Sequence, residues 1–264
     1  MLRNYSRRKF ISMSTVLLSV PTLTWSVTTK SVRNTPLIGS DLEKIQNLLQ
    51  QKKAVKWLFT GDSITAGVEH THGYRSYPEI FGEHIRWELK RPRDVVINTA
   101  ISGNIAQNII EDFEWRIGQF TPSMVSLMIG TNDCARKEIS SELFKRKLID
   151  LISRIRKIDV IPILHTPNPI ITSYAPERER LPEFVKVIRR VALDKEIILV
   201  DNFQWWQEKM KQDSETEVFR NWLNDPLHPN GLGHMEIARF LFKKISIFNS
   251  AEPTCGGKYY EGKH

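Results

Sequence analysis

Five short apolar runs punctuate the chain, at residues 55–60, 95–99, 124–129, 160–165 and 197–201. Each is rich in Val, Ile and Leu without polar alternation, the pattern of strands buried on both faces of a parallel sheet. Between them, residues 77–90, 105–120, 140–158 and 181–194 carry apolar side chains three and four apart and read as crossover helices. A last amphipathic helix is expected at 231–247, and the polar, Gly-rich stretch 249–264 reads as a flexible tail.

Strands that alternate with helices pack as a three-layer α/β/α sandwich, and right-handed crossovers leave few ways to order the sheet. The expected arrangement is a flavodoxin-like five-stranded parallel sheet in the order 2-1-3-4-5. No internal repeat or second-domain boundary is visible, so one domain is expected over 54–248. It follows a segment at 27–53 that comprises a polar linker, expected to run to about Ser40, and an N-terminal helix.

Composition narrows the class. With 41% hydrophobic and 26% charged residues among 264, the chain is long enough for one substantial core. Its formal charge of +8 overstates the basic character, since residues 1–26 hold four basic side chains and no acid, and +4 remains without them. No basic stripe interleaves with aromatics, so nucleic acid is not an expected partner. The leader itself, Ser6-Arg7-Arg8-Lys9-Phe10-Ile11 followed by a moderately apolar stretch to about Leu23, looks like a twin-arginine export signal. That stretch is too short and too polar for a stable membrane span, which needs about 20 predominantly apolar residues. Export of the folded protein to the periplasm or medium follows as the expectation. The two cysteines, Cys134 and Cys255, lie far apart in sequence and are expected to stay unpaired.

Three strand ends carry polar residues of chemical interest. The first runs into Gly61-Asp62-Ser63-Ile64-Thr65, the second into Asn98-Thr99-Ala100-Ile101-Ser102-Gly103-Asn104, and the third into Gly130-Thr131-Asn132-Asp133. In a 2-1-3 order, Gly103 and Asn132 arrive on either side of Ser63, at the sheet edge where open α/β folds bind ligands. Far downstream, Asp225-Pro226-Leu227-His228-Pro229-Asn230-Gly231 forms a punctuated loop before the last helix. A Ser hydroxyl is a poor nucleophile unless a neutral imidazole removes its proton, and a carboxylate three residues from that imidazole can fix its tautomer.

The ordered set of Ser63, Gly103, Asn132 and His228 resembles the SGNH (GDSL-type) hydrolases, whose four named residues these match, over roughly residues 55–248. The resemblance implies a serine esterase with Ser63, Asp225 and His228 as catalytic residues. It also implies an oxyanion hole made of the Ser63 and Gly103 backbone N–H groups and the Asn132 amide. The second block is a variant, with Ala100 at a frequent Gly and Asn104-Ile105 where Asp-Thr is common. No cofactor and no metal are implied, and Gly-x-Ser-x-Gly, His-Glu-x-x-His and Walker patterns are absent from the sequence.

Other candidates carry plainer readings. His70 and His72 stand in a polar loop without an evident third metal ligand and read as solvent-exposed. Tyr74-Arg75 reads as a surface pair, Asp62 and Asp133 as buried scaffold, and His234 as a structural histidine. His165, after the fourth strand, is a candidate pocket wall. Trp205 and Trp206 read as core on a short amphipathic helix. The expected substrate is a small ester or acylated glycan, with acetyl on a carbohydrate favoured by analogy. A lysophospholipase, thioesterase or acyltransferase would use the same groups, and a non-catalytic glycan-binding module would have lost one of them.

Overall fold

A computed structural model describes residues 38–259. The leader, the first part of the linker (27–37) and the last tail residues (260–264) lie outside the described residues. In chain order the elements are α1 (Ile38–Gln50), β1 (Lys56–Gly61), α2 (Ser63–Ala66), α3 (Tyr77–Glu83), β2 (Val95–Asn98), α4 (Ala106–Glu111) and α5 (Phe113–Arg116). They continue with β3 (Met124–Met128), α6 (Ser141–Lys157), β4 (Ile161–Thr166), α7 (Leu181–Asp194), β5 (Ile198–Asp201), α8 (Asn202–Asp213), α9 (Glu215–Trp222) and α10 (Gly231–Lys244).

Among the described residues the sheet has five parallel strands in the order β2-β1-β3-β4-β5, as the apolar runs imply. Alternate side chains of a strand face opposite sides, and both sides are covered. Leu58, Val125, Leu127 and Leu164 pack with Phe144, Leu148, Phe184 and Ile188 of α6 and α7. On the other face Trp57, Phe59, Met124, Met128 and Ile163 pack with Ile45 of α1, Phe81 of α3 and Leu241 and Phe242 of α10. Burial on both faces explains why these strands lack polar alternation. Because all strands run the same way, the loops leaving β1, β2, β3 and β4 emerge at one edge.

Four local expectations need correction. Helix α1 begins at Ile38, inside the stretch expected to be linker, and its buried Asp41 pairs with Arg156 of α6 at 2.7 Å. The expected helix at 77–90 changes to a π-turn over His84–Glu88, and that at 105–120 breaks into α4, α5 and a 3-10 turn, Gly118–Phe120. The stretch expected as a loose tail is packed through residue 255, because His84, Glu88 and Thr254 satisfy one another's polar atoms in the interior. Cys134 and Cys255 are both buried and unpaired, and burial pushes the Cys134 thiol up to about 12. No helix among the described residues is long and apolar enough to cross a membrane.

Candidate active site

Ser63 begins α2 at the end of β1, and the turn that puts it there is built by its two predecessors. Gly61 has no substitute: a Cβ would lie 2.1 Å from the Met128 carbonyl oxygen of neighbouring β3. Asp62 then caps α2, its carboxylate oxygen accepting the Ile64 N–H at 3.1 Å. Its backbone carbonyl accepts from Thr65 and Ala66. The Ser63 N–H, at the first helical position, has no intrahelical acceptor. Burial raises the Asp62 carboxyl to about 7, opposed in part by that cap bond.

The loop before α10 is self-bonded. Leu223 and Pro229 form an antiparallel bridge, the Asn224 N–H donates to the His228 carbonyl at 2.9 Å, and Asn230 caps α10 through Leu232 and Gly233. Within it one Asp225 oxygen accepts the N–H groups of Leu227 and His228, both at 2.8 Å. The other lies 2.7 Å from Nδ1 of His228. With that proton on Nδ1, Nε2 presents a lone pair, and Ser63 Oγ lies 2.8 Å from it. The geometry thus brings Ser63, His228 and Asp225 into one hydrogen-bonded line. Burial lowers the His228 pKa below its ordinary value despite the opposing Asp225 carboxylate; His70 and Arg178 add to the lowering. For Asp225, burial pulls upward, but the Leu227 and His228 bonds prevail and hold it below the usual range.

Asn132 and Gly103 occupy loops on either side. The Asn132 amide nitrogen donates to the Asn104 carbonyl at 3.1 Å, so the loops after β3 and β2 are tied together. Gly103, next to Asn104, has φ +79°, a left-handed conformation that favours glycine. Two further side chains pin its loop. The buried Arg116 donates to the Thr99 carbonyl at 3.1 Å and to Oδ1 of Asn104. Asp133 accepts the Ala106 N–H at 3.0 Å, and burial raises its carboxyl to about 6.

Several side chains outside the sequence motifs shape this centre. His70, expected in solvent, instead stacks on His228, because the 3-10 turn Val68–Thr71 folds back over the loop that carries Asp225 and His228. His72 is the exposed one and meets the Asn224 amide at 3.0 Å. His70, Asp225 and His228 gather potential metal-ligating atoms within 4.8 Å of one another. Their geometry fits a metal poorly: near-parallel rings do not aim their lone pairs at one point, and both nitrogens of His228 are engaged. Arg178, which no spacing pattern flagged, reaches Asn132.

The remaining candidates fall away from the centre. His165 is no pocket wall: it lies within β4, fully buried against Ser126 Oγ at 2.8 Å, and burial lowers its pKa to about 3. His234 is buried too and accepts the Tyr77 N–H. Trp206 is buried in a cluster with Val218, Phe219 and Leu223, while Trp205 stacks on Phe240. Tyr74 and Arg75 line a cleft of about 510 Å³ that extends to Asn224. A second cleft of about 460 Å³, which Asn224 also lines, holds Tyr174, Phe219 and Asp225.

Residues 59–235 match the model of the GDSL-like lipase/acylhydrolase family. An uncharacterized protein of Mycoplasma pneumoniae is 32% identical over 144 residues, which cover 53% of this chain; the chain spans only 14% of that protein's length. An acetylxylan esterase of Geobacillus stearothermophilus is 26% identical over 210 residues, covering 73% of this chain and 94% of the relative. In fold, the chain is similar to LAE5, described as an alpha/beta hydrolase enzyme from the metagenome of Lake Arreo. The TM-score is 0.63 at 24% identity over 75% of this chain and 99% of the other. The family match runs from β1 through the loop that carries Asp225 and His228 into α10, and the chain belongs to the GDSL-like lipase/acylhydrolase family of carboxylic ester hydrolases.

Proposed function

We propose that the protein hydrolyses short-chain esters, acetyl groups on a carbohydrate above all, through an acyl-enzyme on Ser63. The observation that carries this reading is the continuous line from Asp225 through His228 to Ser63, with both contacts below 3 Å. Ser63 Oγ attacks the ester carbonyl carbon as Nε2 of His228 takes its proton, and Asp225 holds the imidazolium. The oxyanion is met by the N–H groups of Ser63 and Gly103 and by the Asn132 amide. As the carbonyl re-forms, the bond to the alcohol oxygen breaks and Nε2 returns the proton to it. Water then repeats the sequence, releasing the acid and restoring Ser63.

Two features support a carbohydrate ester. Tyr74 and Tyr174 are highly exposed rings in two clefts that share Asn224, the neighbour of Asp225, and exposed aromatic rings of this kind suit stacking against sugars. The 26% identity to an acetylxylan esterase over nearly its full length points the same way. Export by the Arg7-Arg8 leader would place the enzyme where polysaccharide lies. Changing Arg7 and Arg8 together to Lys should then retain the protein in the cytoplasm.

A panel of acetylated xylo-oligosaccharides, short and long p-nitrophenyl esters and lysolipids, run beside Ser63→Ala, tests the proposal. Short esters are hydrolysed, Ser63→Ala abolishes turnover, and chelator has no effect. Turnover that survives Ser63→Ala, or vanishes with EDTA, refutes it.

A further inference from the structure

Arg178 ends a 3-10 turn, Pro176–Arg178, in the loop that follows β4, with its side chain 16% exposed. The loop leans on the triad segment, the Ile171 N–H donating to the Pro226 carbonyl at 2.9 Å. Nη2 of Arg178 donates to Oδ1 of Asn132 at 3.2 Å. A guanidinium offers donors only, so it can donate to the oxygen end of a carboxamide and has nothing to offer the NH2 end. Were the Asn132 amide turned over, its NH2 would face N–H.

The orientation matters because the proposed oxyanion donor is Nδ2. One of its hydrogens goes to the Asn104 carbonyl at 3.1 Å, and an amide nitrogen carries two. The amide is therefore gripped at both ends, by a carbonyl from one loop and a guanidinium from another, with one N–H left over. Glu177, the ion-pair partner of Arg178, is half exposed, and such a pair adds little stability.

We infer that Arg178 is a positioning residue of the ester-hydrolysing centre, holding the Asn132 amide in the orientation that presents its remaining N–H to the reacting carbonyl oxygen. The inference rests on the esterase reading above. The same positive charge bears on His228, alongside Asp225 from its own loop and His70 from the turn after α2. Its removal therefore leaves a second signature, in the pH profile.

The test is a double-mutant cycle of Arg178→Met and Asn132→Ala, with Arg178→Gln as a second neutral variant in case Met impairs folding. Active enzyme is counted by fluorophosphonate titration of Ser63. If Arg178 acts through Asn132, Arg178→Met lowers kcat about 10- to 100-fold with KM within about twofold, a fraction of the 10²–10³ lost with a whole donor. It then adds nothing in the Asn132→Ala background. The acid limb of kcat/KM moves to higher pH, and Arg178→Lys restores the limb while recovering kcat only in part. Losses that multiply in full in the Asn132→Ala background overturn the inference. So does a rise in KM at constant kcat, or a fall in kcat matched by fewer titratable sites. Should wild-type Ser63 fail to react, the esterase reading itself falls. The coupling is then judged on the Asn132 side-chain amide resonances, identified by their absence in Asn132→Ala: faster solvent exchange in Arg178→Met supports it, and unchanged exchange overturns it.

Discussion

The imidazole of His70 lies flat on that of His228, with ring centroids 3.7 Å apart and planes within 13° of parallel. The turn that carries His70 follows directly on α2, so the segment that supplies Ser63, the proposed nucleophile, also covers one face of His228, its proposed base. Stacking leaves the in-plane edges of His228 for Ser63 and Asp225. A protonated His70 disfavours a second positive charge beside it, and His228 sits below its ordinary pKa partly for that reason.

His70→Phe should keep the stack and remove the charge. The proposed mechanism needs neutral His228, so wild-type kcat/KM should fall on the acid side along a limb below about 6.5, the unperturbed histidine value. In His70→Phe that limb moves to higher pH while kcat at pH 8 stays within about twofold. His70→Ala also loses the ring contact, worth about 0.5–1.5 kcal/mol, and kcat/KM should fall by up to about tenfold. A limb that shifts downward in His70→Phe would contradict this role.

Asp62 sets a pH dependence of stability. Its carboxyl titrates near 3.8 when unfolded and at about 7 when folded, because burial disfavours the charge. Between those values the folded state holds a proton the unfolded chain lacks. The resulting stability is full below the lower value and is lost as pH rises through about 7. Asp62→Asn is neutral throughout and keeps an oxygen for the Ile64 N–H. Its Tm relative to wild type should therefore improve steadily from pH 4 to pH 8; a flat or declining difference would show that Asp62 is not a raised carboxyl.

Strand order was legible because burial on both faces leaves an uninterrupted apolar signal, as in Met124–Met128, and α6 and α7 because their apolar positions recur three and four apart. Ser63, Gly103 and Asn132 stood out because each follows a strand end, and Asp225 and His228 because their loop is punctuated by Pro and Gly just before the last helix. What escaped were side chains acting across long sequence distances. Nothing in the spacing around Arg178 or Arg116 reveals that they end against Asn132 and Asn104, since an arginine that pins a loop has no periodicity. His70 was misread for the opposite reason: a Gly-flanked polar segment resembles exposed loop, and only the fold-back onto His228 covers it. The breaks at residues 84 and 112 lie inside helical patterns, and no proline stands at either one.

Arg116 is one such side chain. Its guanidinium is 1% exposed and holds the Thr99 carbonyl and the Asn104 amide oxygen, which bracket Gly103. In Arg116→Met both acceptors lose their partner, at about 1–3 kcal/mol each where water does not replace it. For a domain of this size Tm should drop by about 5–15 °C. Per titrated Ser63, kcat should also fall, because the loop with the Gly103 N–H loses its anchor. Loss of stability with kcat unchanged would assign Arg116 to folding alone.

The packed end of the chain supports a complementary expectation. Thr254 Oγ1 meets Nδ1 of His84 at 2.7 Å and the Glu88 carboxylate, and its N–H donates to Glu88 at 3.0 Å. His84 is fully buried and stacks on Phe242 of α10, so these bonds join the π-turn, the last helix and the tail in one water-excluded cluster. Thr254→Val keeps the shape and the backbone bond but removes the hydroxyl, so His84 and Glu88 each lose one bond while keeping the one between them. The cost should be about 1–3 kcal/mol, read as a Tm lower by about 2–10 °C. The triad loop is held by Asp225, Asn230 and its own bridge, none of which touches this cluster, so kcat should stay within about twofold. An unchanged Tm would mean that the tail contributes nothing to the fold, and a collapse of kcat at full stability would mean that the cluster reaches the active site.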